Sequence, residues 1–111
     1  MASGRFGKAL LAANTDTTLY TAPSGTVTTA TVSLCNTGST SANVRLAVAT
    51  ASVPAAADYL EYEVVLGPAG VPGSINMLER TGIVLGPGEM LIARASTAAV
   101  AVRAHGFEES V

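Results

Sequence analysis

Aromatic and charged side chains are scarce in this sequence. Only 5% of the 111 residues are aromatic, none is tryptophan, and 13% carry a charge, about half the share usual in a globular domain. Many of the hydrophobic residues are alanine and valine, which bury less area than leucine or phenylalanine. A thin core under a weakly charged surface predicts a domain that gains stability from neighbouring subunits. A small monomeric β domain is the alternative that the composition leaves open.

Several site types are excluded by what is missing. Cys35 is the single cysteine, so no intrachain disulfide is possible, and with the single histidine, His105, it falls short of the four ligands of a typical zinc site. No apolar run approaches the roughly 20 residues of a membrane helix, and residues 9–13 are too short a run for a secretory signal. We therefore expect no metal, no cofactor and no membrane partner, in a protein made and kept in a reducing cytoplasm or assembled there.

The few charges are unevenly distributed. The formal net charge of −2 argues against a general nucleic-acid partner. Arg5 and Lys8 lie near one end of the sequence, and Glu108 and Glu109 near the other. This pattern fits an N-terminal arm that docks on an acidic neighbour, and equally two ordinary solvated termini.

The clearest structural signal runs from residue 19 to residue 48. It contains three extended segments separated by the turn signals Pro23-Ser24-Gly25 and Asn36-Thr37-Gly38. The middle segment alternates with a period of two, which is typical of a half-buried strand. Its apolar face contains Ala30, Val32 and Leu34, and its polar face contains Thr29, Thr31, Ser33 and Cys35.

Further short strands follow along the chain. Strand patterns cover residues 43–49, 58–66, 74–80, 83–85, 90–95 and 100–107, with one short helical turn near 52–57 and a loose Gly/Pro loop at 67–73. Alternation in the 58–66 strand predicts Leu60, Tyr62, Val64 and Leu66 on one face and Tyr59, Glu61, Glu63 and Val65 on the other. Seven or eight short strands without a long helix predict an all-β fold, a small antiparallel β-sandwich or jelly-roll-like domain. We assign residues 15–111 to this domain and residues 1–14 to a flexible N-terminal arm. Residues 1–13 fit a first strand on the sheet edge equally well.

No arrangement of residues indicates catalysis. His105 has no partner base or nucleophile placed by a motif, and Asp58, Glu61 and Glu63 follow one strand without the spacing of a calcium loop or an acid pair. The glycine-rich turns lack the Lys and Ser/Thr of a phosphate loop. The sequence therefore predicts no catalytic residue and a protein that is not an enzyme.

Several short motifs together resemble a group of small virion structural proteins of tailed bacteriophages. The resemblance covers residues 17–107, and this chain departs from the group pattern at Ser24, at Arg94 and in the extra loop at 67–73. The matching motifs are Leu19–Gly25, Leu34-Cys35-Asn36, Ala57–Tyr62, Gly82–Leu85, Gly88-Glu89, Ala95-Ser96-Thr97 and Val102–Phe107.

The resemblance implies a β-sandwich module of the virion, assembled in the host cytoplasm. The expected role is an accessory structural protein, foremost a capsid decoration (cement) protein that forms a homotrimer and binds capsid or tail proteins. The alternative role is a tail, neck, baseplate or fibre component, including an appendage that binds a host glycan. The predicted partner-binding residues are Arg5, Phe6, Lys8, Leu10 and Leu11 of the arm and Thr29, Thr31 and Ser33 of the polar strand face.

Overall fold

A computed structural model describes residues 3–111 as two four-stranded antiparallel sheets packed face to face. The eight strands are β1 (Ser3–Leu10), β2 (Thr17–Thr21), β3 (Thr26–Asn36), β4 (Ala42–Ala49), β5 (Tyr59–Leu66), β6 (Met77–Leu85), β7 (Met90–Ala95) and β8 (Val100–Ser110). One 3-10 turn, Ala56–Asp58, precedes β5. None of the described residues belongs to a helix long and apolar enough to cross a membrane. The predicted all-β sandwich is confirmed.

The strand order is that of a jelly roll. Sheet A has the order β1-β8-β3-β6 and sheet B the order β2-β7-β4-β5. Each strand of the first half therefore pairs with its counterpart in the second half, β1 with β8, β2 with β7, β3 with β6 and β4 with β5. The chain behaves as one long hairpin rolled into two layers, which is the arrangement of jelly-roll domains.

The flexible arm expected at the N-terminus is replaced by a strand over the described residues. Ser3–Leu10 pairs with β8 along its length and closes one edge of sheet A, and Met1 and Ala2 lie outside the described residues. The next residue, Leu11, has 1% of its surface exposed and bonds through its backbone N–H to the Val100 carbonyl. The sheet-edge alternative for this segment is the one that the structure adopts, because the pairing gives hydrogen-bond partners to the backbone groups of β1 and β8 that face each other.

The core lies between the sheets and follows the predicted alternation of β3. Ala30, Val32 and Leu34 are buried in it, whereas the opposite face of β3 is only half-buried. The predicted alternation of β5 is wrong in its first half. Glu63 has a φ of 54°, and register shifts interrupt the β4–β5 pairing, so Tyr62 is exposed while Leu66 is buried. Bulges of this kind reverse which side chains face the core.

Register shifts occur at every sheet edge and in neither central pairing. The four edge strands β1, β2, β5 and β6 all pair with a bulge or irregularity, whereas β3–β8 and β4–β7 are continuous. Bulged edges discourage the addition of a further strand from another chain. The continuous surfaces of this domain are therefore its two outer sheet faces.

The predicted loose loop at 67–73 is anchored to the sandwich by hydrogen bonds. The Ala69 N–H donates to the Gly38 carbonyl, and the Ser74 hydroxyl donates to the Pro68 carbonyl at 2.8 Å. The buried Asn36 amide donates to the Gly67 carbonyl at 3.0 Å and to the Thr40 carbonyl at 2.8 Å. Asn36 thereby ties the end of β3 to two loops.

Candidate partner-binding faces

Six of the eight predicted partner-binding residues meet on the outer face of sheet A. Residues that pair directly across antiparallel strands project to the same face. The register forms three cross-strand rows, Arg5–His105–Thr31, Lys8–Arg103–Ser33 and Leu10–Ala101–Cys35, and Thr29 lies opposite Phe107 in the next row. Sequence separation between β1, β8 and β3 hid these rows until the strand order was known.

The other two predicted residues, Phe6 and Leu11, belong to the interior. Leu11 is part of the core, and Phe6 packs against it while its ring stacks on Tyr20 with 4.4 Å between ring centroids and 19° between ring planes. Phe6 lies on sheet A and Tyr20 on sheet B, so this stack joins the two sheets at one edge. Because both side chains pack in the interior of the folded domain, they stabilise the sandwich and cannot contact a partner at its surface.

Arg103 is a member of this face that the predicted set omitted. It is exposed on β8 directly opposite Lys8 of β1. Its alternation with the buried Val102 and Ala104 was visible in the sequence. The sequence did not show that β8 pairs with β1 rather than with a strand adjacent to it in sequence, because only the topology determines this pairing.

Three of the six cationic side chains are neutralised within the fold. Arg45 pairs with Glu63 at 2.6 Å, Arg80 with Glu61 at 2.6 Å, and Arg94 with Asp16 at 3.7 Å. The Arg80–Glu61 pair joins β6 of sheet A to β5 of sheet B at the edge opposite Phe6 and Tyr20. Within residues 3–111, the remaining cations Arg5, Lys8 and Arg103 form no ion pair, and all three lie on the outer face of sheet A.

A shallow concavity of about 460 Å³ lies on this face beside two of these cations, Lys8 and Arg103. Its apolar floor comes from side chains such as Leu10, Ala101 and Cys35, and Lys8 and Arg103 contribute to its lining. Leu10 is 64% exposed, and together with Ala101 and Cys35 it forms an apolar patch rather than an isolated exposed side chain. This face combines an uncovered apolar centre with unpaired positive charge.

Glu108 of β8 is a buried acid that contacts Tyr20 of β2. Glu108 is 7% exposed and accepts a hydrogen bond from the Tyr20 hydroxyl. Burial and this hydrogen bond to the carboxyl group raise the pKa of Tyr20 to about 12. The pair stabilises the neutral phenol and links β2 to β8 across the sandwich.

The outer face of sheet B has a different chemistry. The rings of Tyr59 and Tyr62 meet edge to face at 4.9 Å, and the Arg45 guanidinium lies 4.5 Å from the Tyr62 ring centroid. The hydrogen bond from Arg45 lowers the pKa of Glu63 below its usual value. A concavity of about 520 Å³ is lined by Ala56, Tyr59 and Tyr62. Sequence reasoning placed these tyrosines on opposite faces of β5, and the bulged strand brings them together.

Within residues 3–111 no group of three or more His, Cys, Asp or Glu side chains is arranged to hold a metal ion. His105 lies in a row with Arg5 and Thr31, and Cys35 is half-buried and free. The Cys35 sulfur accepts a hydrogen bond from the Asn76 amide at 3.8 Å, and an amide cannot act as the general base that activates a thiol.

A similar fold occurs among solved structures. The fold is similar to that of a phage capsid protein. The crystal structure of a pentameric capsid protein isolated from metagenomic phage sequences aligns with a TM-score of 0.50 and 19% sequence identity, over 96% of this chain and 62% of that one. This chain thus spans less than two-thirds of the length of the phage capsid protein, and at this identity the likeness establishes the fold. No family model and no curated protein matches the sequence.

Proposed function

We propose that this chain is a structural protein of a bacteriophage capsid, and that it acts as an accessory subunit decorating the shell as an oligomer. The observation that carries the proposal is the likeness of its jelly roll, over 96% of the chain, to a pentameric phage capsid protein. The short motifs that resemble small phage virion proteins support the same class of function. The low content of charged residues and the exposed outer sheet faces fit a subunit that is stabilised by assembly.

The mechanism is surface burial rather than chemistry. Because all four edge strands carry register shifts, further subunits pack against the sheet faces and loops instead of extending the sheets. The outer face of sheet A, with Arg5, Lys8 and Leu10 beside Thr31 and Ser33, is the proposed contact with neighbouring shell subunits.

The direct test is electron cryomicroscopy of particles made by the phage that encodes this chain. We expect density for the jelly roll on the outside of the shell at symmetry-related positions. Density only at the tail, neck or baseplate would replace the decoration role by the tail role. Particles that lack the chain altogether would contradict both.

A second candidate function, glycan binding, is favoured by the aromatic pair on sheet B. Tyr59 and Tyr62 line a concavity beside the Arg45–Glu63 ion pair, and aromatic faces next to paired polar groups suit the apolar face and hydroxyls of a sugar ring. A glycan array probed with the wild-type protein and with Tyr62→Ala tests it. Loss of a wild-type hit in the variant supports a sugar site, and an array without wild-type hits contradicts it.

A further inference from the structure

We propose that the outer face of sheet A docks an acidic segment of a different virion protein, which places carboxylates between Lys8 and Arg103 and an apolar side chain over Leu10. This inference rests on the proposed function and names the partner chemistry of the same surface. We call Arg5, Lys8, Leu10 and Arg103 the cationic face.

The first argument is the placement of the unpaired cations. Arg45, Arg80 and Arg94 each meet a carboxylate elsewhere on the domain, whereas Arg5, Lys8 and Arg103 meet none within residues 3–111. The three lie on the adjacent strands β1 and β8. Because the other three cations are paired with carboxylates, the unpaired positive charge of the described residues is concentrated on this one face.

The second argument is that the fold sets two like charges directly opposite each other. Lys8 and Arg103 are cross-strand partners, so their Cβ atoms lie roughly 4.5–5.5 Å apart, and like charges in such a position destabilise a sheet. The nearest acid in the row, Glu79, lies beyond Ser33 and hydrogen bonds to its hydroxyl at 3.2 Å. A carboxylate from outside relieves a repulsion that the isolated domain retains.

The third argument concerns the centre of the face. The concavity of about 460 Å³ is lined by Lys8 and Arg103 and has an apolar floor to which the exposed Leu10 contributes. A purely electrostatic site for a polyanion has no need of an exposed leucine. A protein segment that alternates acidic and apolar side chains fits both features, whereas the phosphates of a nucleic acid match only the charge. Phe107, an exposed aromatic side chain of this face on which a base could stack, does not line the concavity and lies beyond the Arg5–His105–Thr31 row.

The chain itself is a poor source of that segment. Most of its acidic side chains already have a partner within the domain. Asp16, Glu61 and Glu63 form ion pairs, and Glu108 accepts a hydrogen bond from Tyr20. Asp58 accepts one from the Ala55 N–H and Glu89 one from the Gly86 N–H. Glu79 bonds to Ser33, and only Glu109 forms no hydrogen bond or ion pair with the described residues. A second copy therefore lacks a cluster of free carboxylates, which points to a different protein as the occupant.

The test uses a fluorescent peptide of alternating Glu and Leu, a matched peptide of alternating Gln and Leu, and a 20-nucleotide single strand of DNA as probes. We expect the full-length protein to bind the Glu peptide, to bind the Gln peptide at least tenfold more weakly, and to lose affinity as NaCl rises from 50 to 500 mM. Lys8→Glu/Arg103→Glu should lose at least tenfold in affinity for the Glu peptide. Arg94→Gln, which alters a cation outside this face, serves as the matched control and should bind as the wild type does.

A stability measurement separates docking from folding. The single variant Lys8→Glu converts a like-charge pair into an opposite-charge pair with Arg103, so its melting temperature should equal or exceed that of the wild type while its binding falls. Equal binding of the Glu and Gln peptides, unchanged binding in the double variant, or tighter binding of the DNA that displaces the peptide would each overturn the proposal, the last in favour of a nucleic-acid site.

Particle incorporation distinguishes this inference from the proposed function. Lys8→Glu/Arg103→Glu that folds and still reaches wild-type occupancy on phage particles would refute the cationic face as the docking surface and leave the capsid role intact. Wild-type protein that is absent from particles would refute the capsid role whatever the peptides do.

Discussion

At the scale of single residues, two kinds of close contact constrain this domain. Some positions have no room for a side chain because another strand passes too near, and others hold a polar group in a buried pair. Gly106 on β8 is an example of the first, and Tyr20 with Glu108 is an example of the second. Both lie where strands pack or pair, so substitutions there report on the sandwich itself.

Gly106→Ala is expected to destabilise the domain severely. A Cβ at this position would lie 1.9 Å from the Thr29 carbonyl oxygen, so β3 and β8 would have to separate at the centre of sheet A. We expect a loss of more than about 3 kcal/mol, or no folded protein, by urea denaturation. Gly25→Ala is the control: an alanine at its φ of 77° costs roughly 1–2 kcal/mol, but nothing lies within 4 Å of the added Cβ. Similar losses in the two variants would contradict the close approach.

The Tyr20–Glu108 pair predicts a stability that falls at high pH. The phenol has a pKa of about 12 in the folded protein and about 10 when unfolded, so the unfolded chain loses the proton first as pH rises. The stabilisation is complete below about pH 10 and is lost between about pH 10 and 12. Phenolate absorbance should show one of the three tyrosines titrating late, and Glu108→Gln should bring it earlier. Three tyrosines that titrate together in the wild type would refute the pair.

At the scale of elements, the N-terminal strand is part of the fold. β1 covers one side of β8, and the residue after it lies in the core. Removal of residues 1–13 therefore leaves β8 as an unpaired edge and opens the interior at Leu11. We expect such a truncation to abolish cooperative unfolding, which makes it unsuitable as a test of docking alone.

Leu10 and Leu11 provide a sharper test of this element. Leu11→Ala should cost about 2–5 kcal/mol because it leaves a cavity in the core, whereas Leu10→Ala, at a position 64% exposed, should change the free energy of unfolding by less than about 0.5 kcal/mol. Chemical denaturation of both variants measures the difference. Equal, small effects would mean that β1 is detached in solution, as a flexible arm would be.

At the scale of the whole molecule, assembly is proposed to supply stability that the thin core does not. If so, the melting temperature should rise with protein concentration, and light scattering should give a mass that is a multiple of 11.1 kDa. The resemblance to small virion proteins predicts three copies, whereas the similar phage capsid protein is a pentamer. A mass of 11.1 kDa with a melting temperature independent of concentration would contradict self-assembly.

The sequence alone determined the all-β class and most of the strands and turns. It offered β1 only as an alternative to a flexible arm, and it divided β6 into two strands, 74–80 and 83–85. Alternation along β3 separated Val32 and Leu34 from Thr31 and Ser33 correctly, because a period of two is a local property of an extended chain. It failed in β5, where the positive φ of Glu63 reverses the faces, since nothing local marks a bulge that the pairing with β4 imposes.

Only the tertiary structure decided which faces meet and which charges stay free. Arg103 is about 95 residues from Lys8 in sequence, and the two become neighbours because the rolled hairpin pairs the first strand with the last. The same topology turned Phe6 and Leu11 inward, Leu10 outward, and gathered the polar face of β3 beside the unpaired cations. Sequence patterns fix which side of a strand is apolar, whereas non-local pairing fixes what each side is placed against.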